Sequence, residues 1–143
     1  MHVLEYPKRL LAIAETLNRW VGAIGAMDRA QRLKVARYAE AIAETLGRAA
    51  RFSARLTAKP ADKVARRCLM REFGRITGYL ETMVGVLQHH LDGRKLAGVK
   101  RRLEQLESRR MDGDFQAPAS DIRIDRLLAA EGYFRALADS LRT

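Results

Sequence analysis

The sequence has 143 residues, 48% of them apolar and 31% charged, with 3 prolines, one cysteine and a formal net charge of +10 (pI about 10.5). This profile fits one domain with a buried core, and it suits a helical bundle better than a sheet protein or a disordered tail. Cys68 has no second cysteine to pair with, no apolar run approaches the roughly 20 residues that span a bilayer, and the N-terminal apolar stretch is broken by Glu15 with no cleavage site following; a cytoplasmic protein without a membrane partner is expected.

The first segment begins near Pro7, a residue tolerated in a first helical turn, and places Leu10, Ile13, Leu17, Trp20, Val21 and Ile24 on one stripe. Gly22 and Gly25 weaken its end, and Asp28 is a good N-cap for the next helix. The second segment, about 29 to 57, has Val35, Tyr38, Ile42, Leu46, Ala49, Phe52 and Leu56 on its buried face. Pro60 is expected to open the third helix in its first turn, with Asp62 close to that helix's positive end. The third segment, about 60 to 91, is the most periodic: Leu69, Phe73, Ile76, Leu80, Met83, Leu87 and Leu91 alternate three and four steps apart. Gly74, Gly78 and Gly85 fall within it, each costing roughly 1 kcal/mol relative to alanine unless a neighbouring helix approaches closely there.

Asp92-Gly93 reads as a stop and turn. A fourth segment, about 94 to 110, carries Leu96, Val99, Leu103 and Leu106; residues 111 to 120 read as a linker; and Ser120 or Asp121 caps a fifth helix with Ile124, Leu127, Leu128, Phe134, Leu137 and Leu141. The expected architecture is all-α: an antiparallel up-down four-helix bundle over 1–110, a linker over 111–120, and a helix over 121–143 that packs on the bundle or on a neighbouring subunit.

Charge is unevenly spread. Residues 29 to 75 hold thirteen basic and four acidic side chains, whereas 1 to 28 hold three of each and 76 to 143 hold eleven basic and ten acidic. Lys63, Arg67, Arg71 and Arg75 recur every fourth residue on a side of the third helix about 170° from its apolar seam. Arg48, Arg51, Arg55 and Lys59 make a second row about 110° from the apolar face of the second helix. Arg29 and Arg32 crowd its start, with Lys34 and Arg37. A solvated face is the ordinary explanation of such rows, but those faces normally carry acids at i+4, and here only Glu40, Glu44, Asp62 and Glu72 are near. The rows therefore point to an anionic partner, and their arginines suit phosphate or carboxylate. No helix-turn-helix, zinc-finger or RNA-recognition pattern is present, so backbone and shape would be read rather than bases.

The residues that tempt toward chemistry are isolated. His89 and His90 point about 100° apart on a helix and cannot easily grip one metal, and neither Glu-x-x-His nor His-Glu-x-x-His occurs. Cys68 lies among Arg66, Arg67 and Arg71, but it sits beside the apolar seam with no histidine near in sequence to act as a base. Glu81 and Asp92 form no spaced pair, and no glycine-rich phosphate loop follows a strand. No enzyme site, cofactor or metal site is expected.

Residues 17 to 52, LNRWVGAIGAMDRAQRLKVARYAEAIAETLGRAARF, with Trp20, Arg29, Gln31 and Arg32, are followed by a basic helix with a leucine seam, KVARRCLMREFGRITGYLETM. This pattern resembles the accessory variability proteins of diversity-generating retroelements, and the related four-helix-bundle proteins encoded in ribosomal-RNA intervening sequences, over roughly residues 10 to 107. The fifth segment lies outside the resemblance. The resemblance implies a basic homo-oligomer, typically a pentamer, that docks on a reverse transcriptase and contacts RNA without catalytic activity. The residues alone leave two alternatives: an interaction module or assembly factor docking an acidic protein, and a bundle enzyme or metal protein whose site the pattern does not reveal.

Overall fold

Three aspartates start three helices by one device. A carboxylate oxygen accepts a backbone N–H three residues ahead: Asp28 from Gln31, Asp62 from Ala65 and Asp92 from Lys95, each at 2.9 Å. In the computed structural model, which describes residues 5–20, 22, 24, 26–109 and 121–143, they open α2 (Arg29–Ala58), α3 (Lys63–Leu87) and α4 (Gly93–Arg109). With α1 (Glu5–Arg19) and α5 (Asp121–Arg142) these make an all-α protein. The 111–120 linker and Val21 lie outside the described residues.

Three boundaries differ from the sequence reading. α1 stops at Arg19, short of the Trp20 and Ile24 positions that continue its expected stripe, although Ile24 is buried. Pro60 does not open α3; it lies exposed in the 59–62 turn, and Asp62, two residues on, supplies the cap. The helix also stops at Leu87 rather than 91, because the His90 and Leu91 N–H groups both turn back onto the Leu87 carbonyl. Leu91 is nonetheless buried, closing the core beneath the turn that leads to α4.

The helices run alternately up and down. Tyr38 meets Tyr79, Arg48 pairs with Glu72 and Arg55 with Asp62, which makes α2 and α3 an antiparallel hairpin. Arg9 donates to the Gln105 carbonyl (3.0 Å), and Lys95 lies 5.9 Å from the Trp20 ring centroid, so α1 and α4 are antiparallel too. Around the bundle the neighbours run α1, α5, α2, α3, α4 and back to α1. The fifth helix thus fills a gap between α1 and α2 rather than capping a closed four-helix unit. Its Leu127, Ala130, Phe134, Leu137, Ala138 and Leu141 are fully buried. Arg32 donates to the Leu141 carbonyl (3.0 Å), Arg142 pairs with Glu40 (2.7 Å), and Asn18 donates to the Tyr133 carbonyl (2.8 Å).

Small side chains let α5 in. Ala36, Ala43, Gly47 and Ala50 lie on the side of α2 that carries the Arg32 and Glu40 contacts, and a Cβ on Gly47 would come within 3.6 Å of the Glu131 carboxylate. In α3 the glycines do something else. A Cβ on Gly74, Gly78 or Gly85 would meet open space among the described residues, so no described helix approaches them closely enough to offset their cost in helix propensity.

Tyr6 ties α1 to the centre of α3. It is 3% exposed, stacks on Phe73 with centroids 4.1 Å apart, and its hydroxyl donates to the Phe73 carbonyl at 2.9 Å while lying 2.9 Å from Thr77 Oγ1. The start of α1 is therefore level with Phe73, and the end of the hairpin carrying the 59–62 turn continues beyond that level.

Candidate nucleic-acid interface

The hairpin register brings the two basic rows to one surface. α3 buries Ala65, Leu69, Phe73, Ile76 and Leu80, and the helical period then turns Lys63, Arg67 and Arg71 outward, where all three are exposed. On α2 the same logic exposes Arg51, Arg55 and Lys59. Arg48 and Arg75 flank the line where the helices meet.

The acids of this stretch are already engaged, apart from exposed Glu44. Glu72 is buried and forms the floor between the helices; its Oε1 accepts from Arg48 Nε at 3.0 Å and lies 4.0 Å from Arg75 Nη1. Arg48 also donates through Nη2 to Thr45 Oγ1 at 3.1 Å. Asp62 accepts from Arg55 Nη2 at 3.2 Å, and the Arg55 guanidinium carbon stands 5.8 Å from the Phe52 ring centroid. The Ala65 N–H, and then Arg55, hold the Asp62 carboxyl below the usual carboxylate range. Glu40 is turned toward α5, where the hydrogen bond from Arg142 lowers its pKa. For Arg51, Lys59, Lys63, Arg67 and Arg71 there is no side-chain hydrogen bond or ion pair among the described residues.

Arg29 and Arg32 stand apart. A rise of 1.5 Å per residue puts Arg29 roughly 28 Å along α2 from Arg48. Arg29 is exposed at the opposite end of the hairpin, and Arg32 is half-buried with its Nε on the α5 carbonyl of Leu141. The remaining eight basic residues share the hairpin's outer face. Thr45 is a site member that charge counting overlooks, and Glu72 is one that it counts only as a nearby acid, without its partner Arg48. The signal that finds them is the register: a turn at 59–62 places residues whose numbers sum to about 120 opposite one another, which pairs Arg48 with Glu72.

Elsewhere, a shallow groove of about 370 Å³ between α1 and α5 is lined by Asn18, Ala129, Gly132, Tyr133 and Ala136, none of them a cysteine, histidine or serine. His89 and His90 are exposed beyond the end of α3, and Cys68 is half-buried. Among the described residues no group of three His, Cys, Asp or Glu side chains could hold a metal ion, and no helix is long and apolar enough to cross a membrane. Comparison with protein-family models, curated proteins and solved structures finds no match to this chain.

Proposed function

We propose that the chain is a non-enzymatic, basic helical-bundle accessory protein of the cytoplasm that binds RNA, alone or on a reverse transcriptase, through the outer face of its α2–α3 hairpin. One observation carries the reading: Arg51, Lys59, Lys63, Arg67 and Arg71 stand exposed on adjacent antiparallel helices while the nearest acids, Asp62 and Glu72, are occupied by Arg55 and Arg48. Steps of four residues set successive cations about 6 Å apart along α3, a row suited to a phosphate backbone rather than to base edges. The likeness to accessory variability proteins agrees with this reading and adds a homo-oligomer, pentameric in that family.

Labelled RNA titrated at rising salt tests the proposal. Binding is expected at low salt and should weaken by about tenfold or more between 50 and 200 mM as condensed counterions cease to favour release. Arg67→Glu with Arg71→Glu should lower the affinity by a similar factor. Absence of binding at low salt, or affinity indifferent to salt, overturns it.

One observation favours a second reading, an interaction module for an acidic protein: Arg48 and Arg75 already lie against a carboxylate, that of Glu72. That reading predicts that the same double substitution abolishes capture of a protein partner by a chain that binds no RNA.

A further inference from the structure

Most cations on the hairpin face are long, solvated side chains that any anion must first order. Arg48 is different. Glu72 Oε1 accepts from its Nε at 3.0 Å and Thr45 Oγ1 accepts from its Nη2 at 3.1 Å. Both acceptors are themselves fixed: Glu72 is 6% exposed, and Thr45, 1% exposed, donates its own hydroxyl to the Ala41 carbonyl at 2.7 Å. The guanidinium plane is thereby set by two buried groups, yet the side chain remains 35% exposed, and Nη1 has no partner among the described residues. Arg75, 50% exposed, lies against the same Glu72 oxygen and brings a second cation to the spot.

We propose that Glu72 and Thr45 are positioning residues that present Arg48, with Arg75 beside it, as a preset fork for one RNA backbone phosphate. This inference rests on the RNA-binding reading above. An arginine ordered during folding loses little further side-chain freedom when it takes a phosphate, and its planar fork matches two phosphate oxygens. The arrangement gives Glu72 a role opposite to the one its charge suggests. By Coulomb's law alone a carboxylate on a basic face weakens anion binding, and removing it strengthens binding. If Glu72 acts by holding Arg48, removing it weakens binding although the net charge rises.

The experiment uses the full chain and a short labelled polyuridine in the salt range above, with the fold of each variant checked by its circular-dichroism melt. Glu72→Ala should weaken RNA binding by about tenfold, the scale of a lost charge-assisted hydrogen bond, and Glu72→Gln, which keeps an acceptor, should recover part of that loss. Arg48→Lys, which keeps the charge but not the fork, should also weaken binding several-fold, and by clearly more than Arg67→Lys, the same charge-conserving change at a cation that no buried group orders. Tighter binding by either Glu72 variant overturns the proposal, as does an Arg48→Lys effect no larger than that of Arg67→Lys. The lysine pair decides the matter even if Glu72→Ala does not fold. A wild-type chain that binds no RNA overturns the underlying reading as well; a chain that binds RNA and follows charge alone overturns only the preset fork.

Discussion

Tyr6 illustrates how much of a residue's role periodicity can and cannot show. It lies four positions before Leu10, on the stripe that continues through Ile13 and Leu17, so its burial follows from helical spacing once α1 is known to start at Glu5. Its bonds do not follow: the partners, the Phe73 carbonyl and Thr77, are 67 and 71 residues away. Tyr6→Phe should keep the stacking on Phe73 and lose the hydroxyl's bonds, lowering stability by about 1 kcal/mol. Urea denaturation with an unchanged slope would show it; an unchanged midpoint would mean that the hydroxyl contributes nothing net. Glu72 follows the same logic on the surface. Composition shows an acid diluting a basic row, and only the fold shows which arginine it holds.

At the scale of helices, the sequence was legible where one physical rule acted alone. The seam of α3 and the Asp28 cap are where spacing and cap chemistry put them. The start of α3 departs from the sequence expectation because two rules compete there, and the Asp62 side chain on the Ala65 N–H prevails over the tolerance of proline in a first turn. The outward glycines of α3 could not be placed, since propensity does not say which face has a neighbour. The engaged acids have a consequence with pH. Asp62 and Glu40 titrate below their ordinary range in the folded chain, so folding favours their ionised forms. The stability they add is present above the unfolded carboxylate pKa, near 4, and is lost as pH falls through the lower folded values. The melting temperature should therefore be nearly level from about pH 7 to 5 and fall below about pH 4. Asp62→Asn, which keeps a cap acceptor but cannot ionise, should show a shallower fall; an equally steep fall would remove Asp62 as a contributor.

For the whole molecule, the number and type of helices were written in the apolar pattern, but the position of α5 was not. Spacing shows that Leu127, Phe134, Leu137 and Leu141 share a face, not which helices that face meets, and the linker read over 111–120 carries no periodic signal to orient it. In the structure those residues complete the core between α1 and α2. A chain ending at residue 110 should therefore lose cooperative thermal unfolding and bind an apolar dye; a sharp, dye-free transition would show instead that the first four helices close by themselves. The same packing gives the chain a history. Ala50, at the far end of the α2 strip that receives α5, precedes Asp121 by 71 residues. At roughly 5–20 residues per second, a ribosome needs about 4 to 14 s to cover that distance. Throughout that interval the alanine face of α2 is finished but uncovered. The nascent chain thus passes through a stage in which its longest helix is open to chaperones, or to the α5 of another copy, before its own arrives.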